Sequence, residues 1–256
     1  MTDICLLHGW GVNRAVWQGI EDFYAAYGRV RTIDLPGYGK RSNETFPDQL
    51  DLAAQQIAEE MPVDSIVIGW SLGGTLALYI QSARLVQIRA LQLIAATPKF
   101  VRSQNWLAGQ QPETFAKFLL DFKGDYLTAL RRFISLQLHG DSMNSDQLEN
   151  WMDKLNVYPE PSKTTLINGL NVLNKTDLRK DLALINIPTH IVYGKRDRVC
   201  HPKANIYLHE SIANSQLSEF NCGHLPFYSC IAEYKTHTGC WLESLGLLNS
   251  AESECI

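Results

Sequence analysis

Short apolar runs alternate along the chain with longer stretches in which apolar residues return every three or four positions. Ile4–Leu7 precedes Arg14–Tyr27, Val30–Ile33 precedes Gln49–Glu60, Ser65–Ile68 precedes Gly74–Ala83, and Ile88–Ile94 follows. Continuous aliphatic runs bounded by polar or turn residues predict strands buried on both faces, and the 3.6-residue spacing predicts helices between them. The pattern resumes with a strand at Thr189–Tyr193, a helix at Lys203–Glu210, a short strand near Gln216–Phe220 and a last helix around Ile231–Leu245. This βαβα order predicts an α/β fold, a mostly parallel sheet flanked by helices.

From about Pro98 to Thr176 the strand signal disappears. Apolar residues fall at helical spacing, as in Phe115-Phe118-Leu119-Phe122 and Leu127-Leu130-Ile134-Leu138. Breakers at Pro112, Gly124, Gly140 and Pro159/Pro161 divide the region into four helices. The organisation that follows is a core of residues 1–97 and 177–248, a helical cap of residues 98–176 inserted after a sheet strand, and a tail of residues 249–256. A slot between cap and sheet is where a ligand pocket belongs in such an architecture.

Composition narrows the class. The chain has 256 residues, 45% of them hydrophobic, and a formal charge of −4. That balance, with no Lys/Arg-rich run, argues against a nucleic-acid partner. No apolar stretch reaches the length needed to span a bilayer. The N-terminus lacks the regions of a signal peptide, so a cytoplasmic location is expected. The six cysteines are irregularly spaced and are expected as free thiols in a reducing compartment. A zinc set can be assembled from Cys200-His201, Cys222, His224 and His237-x-x-Cys240, but no C-x-x-C pair supports it. Neither metal nor cofactor is expected.

The chemistry starts at Gly69-Trp70-Ser71-Leu72-Gly73, between the third predicted strand and its helix. A G-x-S-x-G string on a strand-to-helix turn holds the serine in a strained backbone, with its hydroxyl above the sheet. Such a hydroxyl needs a base, and the base needs an orienting acid, in the chain order Ser, acid, His. Asp197 lies just past the strand Thr189–Tyr193, and His224 follows the strand near Gln216–Phe220 in Asn221-Cys222-Gly223-His224. Reacting groups in open α/β sheets collect at the carboxyl edge, so the three are expected to converge. The N–H groups of Trp10, in His8-Gly9-Trp10-Gly11, and of Leu72 are the expected donors to an oxyanion. His8 is expected to pin a loop. Two readings fit this inventory: a short-chain carboxylesterase, and an inactive hydrolase fold that binds a small apolar ligand.

Three segments carry a family resemblance: His8-Gly9-Trp10-Gly11-Val12-Asn13-Arg14-Ala15-Val16-Trp17, Asp34-Leu35-Pro36-Gly37-Tyr38-Gly39-Lys40-Arg41-Ser42 and Gly69-Trp70-Ser71-Leu72-Gly73-Gly74. They closely resemble the BioH family of pimeloyl-[acyl-carrier protein] methyl ester esterases, within the α/β-hydrolase superfamily. The likeness covers nearly the whole chain. It implies a serine carboxylesterase of biotin synthesis, hydrolysing the methyl ester at the far end of a pimeloyl chain held on acyl-carrier protein. Ser71 would be the nucleophile, His224 the general base and then acid, Asp197 its orienter, and Trp10 and Leu72 the oxyanion donors. The segment Arg132–Gln137 is similar to the family's substrate-contacting helix, which adds Phe133, Ile134, Ser135, Leu136 and Gln137 to Trp10, Ser71, Leu72 and His224 as substrate contacts. Arg131 and Arg132, with Lys117 and Lys123 nearby, would dock the acidic carrier on a monomeric enzyme. Three departures stand out. The chain enters its first strand without the antiparallel edge strands that usually precede it, and Asp141, Asp146 and Glu149 stand where further arginine is expected. The tail Asn249–Ile256 is expected to be disordered.

Overall fold

The computed structural model describes residues 1–137 and 145–247. The expectations attached to Gly140, Asp141 and the tail 249–256 lie outside these residues, as does the side chain of Asp146. Among the described residues, six strands form one sheet: β1 (Asp3–Leu7), β2 (Arg29–Ile33), β3 (Ser65–Trp70), β4 (Ile88–Ile94), β5 (Thr189–Gly194) and β6 (Ser215–Phe220). Their order is β2-β1-β3-β4-β5-β6, and every pairing is parallel. The chain builds outward from β1 in one direction and then, from β3, in the other. Between the carboxyl ends of β1 and β3 the sheet therefore has its topological switch, where a crevice opens.

Helices flank the sheet: α1 (Glu21–Ala25), α2 (Leu50–Ala58), α3 (Leu72–Ser82), α8 (Pro202–Ser211), α9 (Pro226–Ser229) and α10 (Ile231–Ser244). The single helix expected over Arg14–Tyr27 is instead a 3-10 turn at Arg14–Trp17 followed by the short α1. Asn13 caps the turn by accepting from Ala15 N–H, and Gly19 at φ 94° breaks the helical path. The short α9, directly after His224, has no counterpart in the sequence pattern and begins with Pro226 in its first turn.

Between β4 and β5 come α4 (Pro112–Gly124), α5 (Tyr126–Gln137), α6 (Ser145–Leu155) and α7 (Lys163–Lys175). Pro112 opens α4, where its missing N–H costs nothing, and Ser162 caps α7 by accepting from Thr165 N–H. Side chains of the β1 loop tie these helices to the sheet. The Trp10 indole donates to Leu166 O at 2.8 Å and the Asn13 amide to Leu155 O at 2.9 Å. Gly169 admits the indole, since a Cβ there would sit 2.6 Å from Trp10 Cδ1.

A buried polar network crosses β4, β5 and β6. The Gln92 amide nitrogen donates to His190 Nδ1 and to Thr238 Oγ1, both at 3.0 Å, while its oxygen accepts from the hydroxyls of Tyr24 and Tyr234. His190 Nε2 meets Ser218 Oγ at 2.9 Å, and that hydroxyl meets His237 Nδ1. Burial pushes the His190 pKa down to about 3, with His237 acting in the same direction. Among the described residues, Cys5, Cys200 and Cys240 are free thiols.

Candidate active site

Ser71 is the residue between β3 and α3, with φ 55° and ψ −118°. A side-chain-bearing residue in that region stores about 1–3 kcal/mol of strain and is held there by its surroundings. Its N–H donates to Ile94 O on β4 at 2.9 Å, and its carbonyl accepts from Thr75 N–H at 3.0 Å. The flanking glycines are steric requirements. A Cβ on Gly69 would stand 2.7 Å from Gly73 O, and one on Gly73 would collide with the carbonyls of Leu7 and His8. Those contacts bring the loop after β1 against the start of α3, so the backbones of Trp10 and Leu72 approach Ser71 together. Gly9 packs there too, where a Cβ would lie 3.2 Å from Ser71 Cβ. Among the described residues, neither the Trp10 N–H nor the Leu72 N–H donates a hydrogen bond. His8 is buried in the same loop, where Nε2 accepts from Leu35 N–H at 3.0 Å and Nδ1 faces Gly9 O. Burial lowers its pKa, and the two bonds make it a neutral loop pin.

Asp197 and His224 extend from the loops after β5 and β6. Two backbone bonds join those loops, from Lys195 N–H to Phe220 O and from Arg196 N–H to Cys222 O. Asp197 is buried. Its Oδ1 accepts from Val199 N–H at 2.7 Å and Cys200 N–H at 2.9 Å, and its Oδ2 meets His224 Nδ1 at 2.7 Å. The carboxylate thus sets Nδ1 as the protonated ring nitrogen and leaves Nε2 as the basic one. His224 is 1% exposed, and among the described residues Nε2 has no hydrogen-bond partner. The residue is clamped from both sides: its carbonyl accepts from the Trp70 indole at 2.9 Å, and its N–H donates to Gln137 O at 3.2 Å. Its ring stands 5.3 Å from that of Trp70, the neighbour of Ser71. Asp177, another carboxylate on the chain, is committed elsewhere, bonded to Arg179 and Lys99.

The α5 residues divide by face. Phe133 stacks edge-on against Trp10 with ring centres 4.9 Å apart. With Leu136 it lines an apolar cavity of about 120 Å³, walled also by Phe118, Leu170, Leu173 and Val199. Gln137 is buried; among the described residues its side-chain oxygen has no partner, and its backbone carbonyl sits on His224 N–H. Ile134 faces a second cavity of about 290 Å³, shared with Gly11, Leu130, Arg131 and Glu160. Ser135 is exposed and donates back to Arg131 O, so it joins neither wall. Arg131 and Arg132 are exposed, as are Lys117 and Lys123.

The residue patterns do not single out three parts of this arrangement. The Trp70 indole and the Gln137 carbonyl grip His224, and the Cys200 N–H holds Asp197 Oδ1 at 2.9 Å. Trp70 carries a signal, sitting inside the serine pentapeptide. Cys200, three residues after Asp197, carries none beyond its nearness to the acid.

A strained serine, a carboxylate-held imidazole with a free nitrogen, and two unengaged N–H groups above a parallel sheet are the parts of an α/β hydrolase. The sequence profile of the Alpha/beta hydrolase family matches residues 6–234, and the chain belongs to that family. Within it, the chain is 32% identical to a pimeloyl-[acyl-carrier protein] methyl ester esterase from Nitrosomonas europaea, over 89% of this chain and 90% of that one. It is 35% identical to one from Xanthomonas campestris pv. campestris, over 88% of each. Among solved structures it is similar to an esterase from Exiguobacterium antarcticum. That pair has a TM-score of 0.83 and 25% identity, covering 95% of this chain and 92% of the other.

Proposed function

We propose that the protein is a serine carboxylesterase that hydrolyses the methyl ester of pimeloyl-[acyl-carrier protein] in biotin synthesis. The observation that carries this reading is the buried, unpartnered Nε2 of His224, held on Asp197 beside a strained serine. Ser71 Oγ attacks the ester carbonyl as its proton passes to His224 Nε2. The oxygen that gains charge is held by the Trp10 and Leu72 N–H groups. Collapse expels methanol, which takes the proton back from His224. Water then attacks the acyl-serine through the same imidazole, releasing the free carboxylate and restoring Ser71.

Residues 98–176 act as a cap over the core of 1–97 and 177–248. The apolar cavity beneath it, between Phe133, Leu136 and Val199, suits a methylene chain. Each buried CH₂ contributes about 0.8 kcal/mol. The proposed contacts are Trp10, Ser71, Leu72, Phe133, Leu136, Gln137 and His224, with Ile134 and Ser135 supporting the helix that carries them. Arg131 and Arg132 dock the acidic carrier on the cap, and the enzyme works as a cytoplasmic monomer. No helix among the described residues is long and apolar enough to cross a membrane.

Asp125 favours the second reading, a short-chain esterase without a carrier. Hydrogen bonds from Thr128 lower its pKa most, and the charges of Arg132 and Arg131, which it partly neutralises, lower it further. Turnover of a carrier-bound methyl ester and of a small soluble ester by one purified protein separates the two. Under the carrier reading, charge reversal at Arg131 and Arg132 cuts kcat/KM for the carrier-bound ester by about tenfold or more, as loss of electrostatic steering does, and leaves the small ester unchanged. Equal losses on both remove carrier docking. No turnover of either ester, with no fluorophosphonate label on Ser71, removes the esterase.

A further inference from the structure

One indole joins the nucleophile turn, the loop after β1 and the proposed base. Trp70 is the last residue of β3 and the chain neighbour of Ser71, and it is buried. Its ring seats the loop after β1, because a Cβ on Gly9 would lie 3.1 Å from Trp70 Cε3. Phe227 packs against it with ring centres 5.6 Å apart. Its N–H donates to the main-chain carbonyl of His224 at 2.9 Å, across 154 residues of chain, and the two rings stand 5.3 Å apart. Asp197 fixes which nitrogen of His224 carries the proton, but a bond at Nδ1 does not fix the main chain from which the ring hangs. Two bonds do that, and they come from different parts of the fold. His224 N–H is held by Gln137 O on α5, and His224 O by the Trp70 indole on β3. The indole bond therefore ties the imidazole to the same strand that carries Ser71.

We propose that Trp70 is a positioning residue whose indole N–H sets the place of His224 Nε2 relative to Ser71, and so serves both halves of the reaction. The inference rests on Ser71 being the nucleophile and His224 the base. In acylation Nε2 takes the proton of Ser71, and in deacylation the same nitrogen takes a proton from water. Loss of the indole N–H removes the donor from a buried carbonyl and lets the His224 main chain shift, which slows both transfers alike. A change that instead disturbs the Ser71 turn slows acylation and spares deacylation. When both steps slow by one factor, kcat falls by that factor and KM stays, because KM carries only the ratio of the two rates.

The test replaces one ring atom in the full-length protein. Trp70→benzothienylalanine puts sulfur where the indole N–H stands and keeps a bicyclic ring against Gly9 and Phe227. Trp17 is the control: it is buried, its ring packs on Phe227 at 4.8 Å, and among the described residues its Nε1 has no hydrogen-bond partner. Acylation is read as the second-order rate of Ser71 labelling by a fluorophosphonate, and deacylation as recovery of activity from the dimethylcarbamoyl-enzyme. Turnover of a small soluble ester gives kcat and KM. The Trp70 variant is expected to lose about three- to tenfold in labelling, in recovery and in kcat alike, the weight of one hydrogen bond, with KM unchanged. Trp17→benzothienylalanine is expected to match the wild type in every readout. If the isostere at position 70 does not fold, Trp70→Phe, measured well below its thermal midpoint, carries the same expectation of equal losses at both steps. Labelling slowed with recovery spared, neither rate moving, or the same losses from the Trp17 variant overturns the proposal. A wild-type protein that takes no label overturns the nucleophile assignment and this inference with it.

Discussion

Two buried imidazoles, one on β5 and one just beyond β6, show opposite uses of the same side chain. His190 has both ring nitrogens engaged, Nδ1 by Gln92 and Nε2 by Ser218, in a network whose other members are bonded in turn. His224 has Nδ1 on Asp197 and, among the described residues, nothing on Nε2. A saturated network in low dielectric rigidifies the interior, whereas an unpaired buried acceptor costs about 1–3 kcal/mol. A fold keeps such a cost where the atom has a partner still to arrive. The contrast separates a histidine that holds the sheet from one poised to take a proton.

The largest effect that tests this contrast is at the open end. Ser71→Ala or His224→Ala is expected to lower kcat by roughly 10⁴- to 10⁶-fold, with the double variant little worse than either, because such groups act as a unit. Ser71→Ala should also unfold at nearly the wild-type denaturant midpoint. Additive losses in the double variant would mean the roles are misassigned. Next, Asp197→Asn should keep the fold yet lower kcat by about 10³- to 10⁴-fold, since an amide can present its N–H to Nδ1 and favour the wrong tautomer. Full activity there would move the orienting role to another group.

The saturated end should fail in the reverse manner. Gln92→Leu leaves His190, Thr238, Tyr24 and Tyr234 short of a partner. It is expected to cost about 3 kcal/mol or more of unfolding free energy while kcat stays within about twofold. A large loss of kcat at unchanged stability would erase the distinction drawn between the two imidazoles. The smallest effect is on pH dependence. Protonating His190 would turn an N–H on Nδ1 against the Gln92 amide N–H, which agrees with its lowered pKa of about 3. In the unfolded chain the same group titrates near its ordinary 6.5. The unfolded state then binds the extra proton between those values, so stability is full above about pH 6.5 and falls as pH drops toward 3. Urea unfolding should show a loss of about 3 kcal/mol by about pH 4.5, and His190→Asn should flatten that slope. An unchanged slope would place the acid sensitivity elsewhere, with buried His8 the next group to replace.

Much of this arrangement is legible in the amino-acid sequence. The strand-to-helix position of Ser71 follows from two glycines and an aliphatic run, and the placement of Asp197 and His224 follows from their distance past a strand. The split of the first predicted helix is hidden because Gly19 at φ 94° breaks a periodicity that continues on either side. The polar network is invisible because its bonds span 98 residues from Gln92 to His190 and 146 from Gln92 to Thr238, leaving no local spacing to read. The two faces of α5 escape for a related reason. Helical periodicity marks Ile134 as buried and the family resemblance adds Phe133 as a substrate contact, but neither says that the two line different cavities.

What the amino-acid order determined alone is the succession of strands and helices and the loops on which reactive side chains ride. Hydrophobic period, glycine sterics and proline breaks act over a few residues, and a single chain displays them. What only the tertiary structure decided is which donor meets which acceptor. It put a carboxylate on Nδ1 of one histidine, left its Nε2 without a partner among the described residues, and saturated the other histidine. Those outcomes depend on ångström-scale packing between segments far apart in the chain, where a hydrogen bond is either made or lost.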